Sequence, residues 1–343
     1  MSQPKKIDRS DPELAPHFSL MSDHGIHMIQ VPTPFAIGPV NSYLIEDKPL
    51  TLVDPGPNSG DSLEVLETEV RALGYELEQI ERIIVSHQHL DHLGLVAIVA
   101  ARSGAEVVCL DVCVPYLQDY EVEAGLADKF ALMMMQRHGI PEETAIALRS
   151  VSKAFRGWGS SATVDRVLHD GEMLEFRDRK LEVLHRPGHS ISDTIFWDAD
   201  SELLIAADHL IQKTSSNPLL ERPRNEGDAR PQSLVSYIDS MNKTKAIPAK
   251  LVLSGHGVPI SDHIGLIESR MEMHAQRAEK LFAMLEDAPQ TAHQLARNTW
   301  GNIAVTQAFL TLSEVIGHLD ILQNAGRVVE IEEGGVVRFG VAS

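Results

Sequence analysis

The sequence predicts an α/β protein made of one large unit followed by a smaller α+β unit. Three observations predict it. Residues 26–110 alternate short apolar β-like runs with helix-compatible segments, the pattern of helices layered on a sheet. The chain has 343 residues, 43% of them hydrophobic and 23% charged, which is ample for a buried core and ordinary for a globular protein. After Gly257 the strand pattern gives way to long charged helical stretches and a glycine-tipped pair of β-like runs.

In chain order, β-like runs stand at 26–31, 42–46 and 51–54, bounded by Pro, Gly and Asn turn signals. Residues 61–73 set Leu63, Val65, Leu66 and Val70 at amphipathic spacing, with Asp61 or Ser62 near the N-cap. The strand at 80–86 delivers the chain into SHQHLDHLG, residues 86–94. Helix resumes at Leu95, and 106–110 is a further buried strand, so the histidine loop lies at a strand's C-terminal edge, where α/β folds place ligands. Residues 115–160 differ, with helical patterns over 116–138 and 141–154 joined at Gly139 and the run Met133-Met134-Met135. This insertion is expected to roof the cleft, its methionines either lining the roof or packing as core. Strands return at 181–185, 194–198, 203–207 and 250–253. Helices over 264–285, 291–297 and 310–325, then strands over 328–331 and 336–339 around Gly334-Gly335, resemble a winged-helix module. The domain boundary falls between 1–258 and 259–343.

Charge narrows the partners. The 30 Lys and Arg against 49 Asp and Glu give a formal net charge of -19, which disfavours polyanions. From Pro289 to Ser343 the basic residues are Arg297, Arg327 and Arg338, and the 310–325 helix carries Glu314 and Asp320 with no basic residue, the wrong sign for phosphate contacts. Arg222, Arg224 and Arg230 form either a phosphate-binding face near the cleft or a solvated loop, and the solvated loop is the expected reading. Met1 to Leu20 has no apolar signal core, and no later stretch approaches the roughly 18 uncharged apolar residues of a membrane span, so a cytoplasmic protein with no membrane partner is expected. Cys109 and Cys113 have no second pair to complete a structural zinc site and read as buried thiols.

The chemistry concentrates at His87, His89, Asp91 and His92. His87 and His89 point the same way if they leave an extended strand end, and Asp91 and His92 fall on the turn that follows. Imidazoles bind borderline cations at roughly 2.1 Å and a carboxylate adds charge, so one loop can seed two metal sites. Further donors must come from other strand ends, and His189 in HRPGHS, Asp208 in LLIAADH and His256 in LVLSGHG each follow an apolar run. Asp54 in TLVDPGP is either a turn former or a partner orienting a ligand. His185 reads as structural, and His209 as a cleft proton donor.

Taken in order, the H-x-H-x-D-H loop, the P-G-H-S turn, the aspartate after the next apolar strand and the final G-H-G identify the chain as a member of the metallo-β-lactamase-fold hydrolase superfamily over roughly residues 26–258. Asp54 and the NSYLI segment from Asn41 match as well. The resemblance implies an αββα sandwich. It assigns His87, His89 and His189 to one metal and Asp91, His92 and His256 to a second, with Asp208 bridging. Asp91, Asp208 and His209 are then the candidate catalytic residues. The implied cofactors are two divalent cations, zinc first, with iron or manganese accepted by the same donors. A hydroxide bridging the two metals would be the nucleophile.

Substrate follows less directly. Asp208 and the absence of a signal resemble the glyoxalase II and RNase Z type of site more than the secreted zinc β-lactamases, and His89 stands where flavodiiron proteins carry Glu. The C-terminal segment resembles the winged-helix domain of lactamase-β-2-like proteins. The expected function is hydrolysis of a carboxylic ester, thioester or lactone of a small or acyl-chain substrate, with the C-terminal module either packing on the chain or forming a homodimer. A metal-dependent endoribonuclease or phosphodiesterase is the alternative, and a non-catalytic, metal-stabilised binding protein the third reading.

Overall fold

The computed structural model describes residues 7–225 and 227–342. Residues 1–6, part of the segment read for a signal, lie outside the described residues. A six-stranded sheet runs in the order β1 (Ile26–Val31), β2 (Val40–Ile45), β3 (Thr51–Val53), β4 (Arg82–Val85), β5 (Glu106–Leu110) and β6 (Arg166–Leu168). A five-stranded sheet holds β7 (Met173–Glu175), β8 (Lys180–His185), β9 (Thr194–Asp198), β10 (Leu203–Ala207) and β11 (Leu251–Ser254), with β11 and β7 at its edges. β3, β4 and β5 are parallel neighbours, as are β10 and β11, and the other pairs flanking them are antiparallel except β5 with β6.

The helices, in chain order, are α1 (Ala15–Asp23), α2 (Gly60–Ala72), α3 (Leu90–Leu93), α4 (Val96–Ser103), α5 (Val114–Gln118), α6 (Tyr120–Arg137), α7 (Glu142–Phe155), α8 (Ser233–Lys245), α9 (His263–Ala283), α10 (Ala292–Trp300), α11 (Ile303–Thr306) and α12 (Ala308–Asn324). Three apolar layers explain the sandwich. Tyr43, Val53, Ile84 and Val108 of the first sheet meet Val183, Phe196, Ile205 and Leu253 of the second. The outer face of the first sheet packs Leu52, Ile83 and Val85 against Leu66 and Val70 of α2 and Val96 and Val99 of α4. The outer face of the second packs Ile195, Leu204 and Val252 against Leu234, Tyr237 and Met241 of α8. Both faces of each central strand are covered, so these strands read as continuous apolar runs rather than alternating ones. The αββα arrangement follows.

The strand order puts chemistry at one edge. β3, β4, β10 and β11 end in or run directly into Asp54, Ser86-His87, Asp208 and His256.

Several elements differ from the sequence reading. β6, β7 and α8 were not expected, because three-residue strands such as Arg166–Leu168 carry no period and α8 begins at Ser233 without a side-chain cap. The helix expected over 116–138 breaks at Asp119 into α5 and α6. Cys109 and Cys113 are buried free thiols.

The insertion and the C-terminal segment share one core. Met134, Met135 and Ile140 pack with Leu281, Leu295, Leu312 and Phe339, and the His138 ring stacks on Phe339 with centroids 5.8 Å apart. Met133 is 50% exposed, so the methionine run splits three ways: Met133 faces out, Met134 is core, and Met135 alone of the three lines the internal cavity described below. The C-terminal segment ends in the hairpin β12 (Val328–Glu333) and β13 (Val336–Val341), tipped by Gly334 and Gly335 in the left-handed region. α12, which precedes the hairpin, is covered on both faces. Leu312, Val315, Ile316 and Leu319 are buried, as are Glu314, paired with Arg277 of α9, and Asp320, which accepts from Arg230 at 2.6 Å. Among the described residues no helix is long and apolar enough to cross a membrane.

Phe339, 1% exposed, is the side chain that joins hairpin, insertion and α10. Phe339→Ala should cost about 3–5 kcal/mol of stability, read as a lowered denaturant midpoint at unchanged slope. A loss below about 1 kcal/mol would remove Phe339 as the keystone of the shared core.

Candidate metal centre

The loop after β4 is sealed into the protein. Ser86 and His87 are fully buried, and His89 starts the short helix α3, which carries Asp91 and His92. Gly94 closes this turn, because a Cβ there would collide with the backbone of Asn58, Pro57 and Trp158.

Two groups of donors result. His87, His89 and His189 offer ligand atoms all within 4.8 Å of one another, with His87 Nε2 3.1 Å from His89 Nδ1. Asp91, His92 and His256 form the second group, with His256 Nε2 3.4 Å from Asp91 Oδ2. Asp208 lies between them. Its Oδ1 is 3.4 Å from His92 Nε2, and its Oδ2 is 3.5 Å from both His189 Nε2 and His256 Nε2.

The far side of four of the five imidazoles is anchored, which fixes their tautomers. His189 Nδ1 donates to Asn217 O at 3.1 Å and His256 Nδ1 to Pro39 O at 2.9 Å. His92 Nδ1 meets Asp54 Oδ2 at 2.9 Å. Ser86 Oγ donates to the same carboxylate at 2.6 Å, which leaves the hydroxyl oxygen to accept from His87 Nδ1 at 2.9 Å. In all four rings Nε2 is therefore the nitrogen turned inward, available to a cation once it carries no proton. His92 Nε2, His189 Nε2 and Asp208 Oδ1 are buried with no hydrogen-bond partner among the described residues. Buried polar atoms are almost always paired. Imidazole nitrogens converging on a carboxylate are a donor set that fits divalent cations.

Electrostatics agree with the geometry. Burial, then His92 and His89, hold His87 well below the usual histidine range, and burial with His189 pushes His89 down to about 3. Both are neutral, the form that binds metal. Desolvation opposes charge on Asp208, but His256 and His92 outweigh it and hold its carboxyl well below the usual range. Desolvation likewise opposes charge on His92 and His256, yet Asp208 with Asp54, and Asp208 with Asp91, raise them. The second group thus holds a proton until a cation replaces it.

Two of the three non-glycine residues with positive φ among the described residues stand at this edge, the third being Glu202 in the β9–β10 turn. Asp54 has φ 52° and Ala207, just before Asp208, φ 43°, in the left-handed region that side chains seldom adopt. The β10–β11 register slips between Ile205 and Ala207, which turns Asp208 inward. Gly255 is required here, because a Cβ on it would occupy the position of Asp208 Oδ1. Asn41 then clamps the Gly255–Gly257 turn, its Nδ2 donating to Ser254 O at 2.9 Å and Gly257 O at 2.8 Å, and so holds His256 in place.

The structure brings His87, His89, Asp91, His92, His189, Asp208 and His256 together and puts Asp54 behind His92. It does not bring His209 to the cleft, which corrects that expectation. Neighbouring residues leaving a strand point opposite ways, and with Asp208 turned inward, His209 Nε2 meets Thr244 Oγ1 of α8 at 2.9 Å. Burial, with Arg186 and His189, keeps its ring neutral, down to about 3. His185 Nε2 donates to Ile191 O at 2.9 Å, in keeping with a structural role. Arg222 pairs with Glu123 and Arg230 with Asp320, so two of the three arginines of 222–230 are answered by carboxylates.

Sequence reasoning missed Gln88 and Glu221. Gln88, between the two loop histidines, donates to Glu221 Oε1 at 2.9 Å and accepts from Ser192 Oγ, tying the metal loop to the 189–193 turn. Desolvation, with Asp193 adding, pushes Glu221 up to about 7. A glutamate in a Pro-rich loop gives no sequence signal. A further donor set, His274, Glu314 and His318, lies between α9 and α12. There His274 Nδ1 and His318 Nε2 share a hydrogen bond at 3.1 Å and Glu314 pairs with Arg277, so a cation is not called for.

From the metal loop a cavity of about 490 Å³ extends beneath the insertion. Gln88, His89 and Leu90 face it at the loop, and Phe130, Met135, Leu148, Phe155 and Phe309 make its walls mostly apolar.

Comparison with known proteins agrees with this architecture. The family model described as the metallo-beta-lactamase superfamily matches residues 36–256. A probable metallo-hydrolase of Bacillus subtilis, YqjP, is 30% identical over 93% of this chain and 98% of its own. A metallo-beta-lactamase family protein of Thermus thermophilus superposes with a TM-score of 0.75 at 26% identity, covering 92% of this chain and 98% of the other. A beta-lactamase domain protein of Burkholderia ambifaria superposes at 0.80 with 22% identity, covering 93% and 92%.

Gly255→Ala should displace the Asp208 carboxylate without touching any donor directly. Bound metal per chain, measured on folded protein, is expected to fall by at least about tenfold in affinity, the scale of lost ligand support. Unchanged metal affinity in this variant would show that Gly255 does not make room for Asp208.

Proposed function

The chain belongs to the metallo-beta-lactamase superfamily, and from that membership we propose a metal-dependent hydrolase that uses two divalent cations to cleave a carboxylic ester, thioester or lactone of an acyl-chain substrate. The observation that carries this reading is the set of bare donor atoms around Asp208 at the foot of an apolar cavity. His87 Nε2, His89 Nδ1 and His189 Nε2 would hold one ion. Asp91, His92 Nε2 and His256 Nε2 would hold the other, and Asp208 would touch both. Zinc suits these nitrogen and oxygen donors, as iron and manganese do.

Bound there, such ions would lower the pKa of a water toward about 7 and polarise the oxygen under attack. The chain's own residues do the rest. Asp54 and Ser86 keep the imidazoles in the tautomers that face inward. Burial opposes charge on Asp91, but His256 and His92 outweigh it and hold its carboxyl below the usual range, so this carboxylate would first take the proton released when the water ionises and then return it to the leaving oxygen or sulfur. Phe130, Leu148 and Phe155 exclude water from the bound acyl group. The Bacillus subtilis relative's description as a probable metallo-hydrolase supports the reaction class.

A nucleic-acid substrate gains less support. The winged-helix-like segment, 259–343 in this reading, keeps α12 covered on both faces, so that helix has no free side to lay in a groove. Arg222 and Arg230 are neutralised by Glu123 and Asp320.

Elemental analysis of protein purified without a metal-binding tag should give close to two metal ions per chain, and a panel of thioesters, lactones, β-lactams and single-stranded RNA should show turnover on the first two that chelators abolish. Asp208→Ala should lower that turnover about a hundredfold or more while the fold persists. Full activity at a metal content near zero, or wild-type turnover in Asp208→Ala, would end the proposal.

A further inference from the structure

The cavity beneath the insertion contains three arginines, and two of them are answered. Arg156 pairs with Asp128 and donates to Ala124 O at 3.1 Å, and Ser152 Oγ donates to the same aspartate at 2.9 Å. Arg222 pairs with Glu123. Arg149 is different. It stands on α7, one turn before Ser152 and two before Arg156, and lines the same cavity beside Leu148. Its Nε is buried with no partner, as are those of Arg156 and Arg222, but among the described residues no hydrogen bond or ion pair reaches its guanidinium, whereas theirs meet Asp128 and Glu123. A half-buried cation with no carboxylate beside it, on a mostly apolar wall, offers an incoming anion a charge-assisted partner.

The remaining acids of the cavity do not supply that anion. Glu123 and Asp128 are committed to Arg222 and Arg156, and Glu221 is hydrogen-bonded to Gln88. The cavity therefore combines apolar walls, the metal loop and one unmatched positive group. A single guanidinium, with the two other arginines of the cavity neutralised, suits a singly charged planar anion rather than a polyphosphate. A carboxylate matches the planar fork in two parallel hydrogen bonds.

The geometry points to Arg149 as the anchor for a carboxylate on the substrate, so that the favoured substrates are acyl compounds bearing a second, free carboxylate away from the bond that is cleaved. This rests on the hydrolase reading above, since it is that reading which puts an ester or thioester at the metal loop. In the bound state the apolar stretch of the substrate lies against Phe130, Leu148 and Phe155 while its two ends are held at different walls. Arg149 acts in binding and takes no part in bond cleavage.

The test compares thioesters of hexanoic, octanoic and decanoic acids with the mono-thioesters of hexanedioic, octanedioic and decanedioic acids, using metal-loaded wild type, Arg149→Met and Arg149→Lys. In at least one pair the wild type should show a KM roughly tenfold to a hundredfold lower for the carboxylate-terminated member, the range of a charge-assisted hydrogen-bond pair. That ratio should collapse to within about twofold in Arg149→Met, and Arg149→Lys should keep part of it, since charge survives and the fork does not. A wild-type ratio near one in every pair, or an unchanged ratio in Arg149→Met, overturns the assignment. If wild type hydrolyses none of the thioesters, the hydrolase reading fails by itself. Calorimetric titration with octanedioate and octanoate then decides the anchor: tighter binding of the diacid that is lost in Arg149→Met supports it, and equal binding of the two acids overturns it.

Discussion

The Asp208 carboxylate is charged in a place where desolvation opposes charge, and the imidazoles of His92, His189 and His256 converge on it from three different strand ends and loops. Removing an ion of this kind from water costs several kcal/mol unless opposite charge is close by. The surrounding construction follows from that need. Asp54 holds His92, Asn217 holds His189, and Pro39 holds His256, each through the ring nitrogen that faces away from the cluster. The two sheets must then face each other with β3, β4, β10 and β11 ending at one edge, since no single element could supply donors from so many directions.

The backbone accommodates this in particular places. Asp54 and Ala207 adopt left-handed conformations, and the slip in register between β10 and β11 directs Asp208 inward. Gly255 and Gly94 are glycines because backbone or carboxylate atoms already fill the positions their Cβ atoms would take. The apolar layers under these turns, among them Val53, Ile84, Ile205 and Leu253, supply the stability against which such strain is tolerated.

Much of this could be read from the residues. The strands 26–31, 106–110, 194–198 and 203–207 are marked by apolar runs, and the H-x-H-x-D-H spacing, P-G-H-S, Asp208 and G-H-G mark the donor groups without any structure. What stayed hidden has physical causes. His209 and Asp208 are adjacent and equally able to bind metal, and only the side on which the chain leaves β10 separates them. Glu221 and Arg149 gain meaning from the walls around them, which a linear pattern does not encode. The methionine run has helical spacing for either core or cavity, and the C-terminal segment that covers Met134 lies more than a hundred residues away in the chain. The role of α12 was open for the same reason: its acids were visible, but their partners Arg230 and Arg277 sit on other elements.

Hydrolysis, metal binding and substrate preference all depend on where the cations sit. Anomalous diffraction from crystals of the metal-loaded protein tests that directly. The account predicts two peaks on either side of Asp208, one flanked by His87, His89 and His189 and the other by Asp91, His92 and His256. Peaks elsewhere, such as between His274 and His318, or no peak beside Asp208, would contradict it.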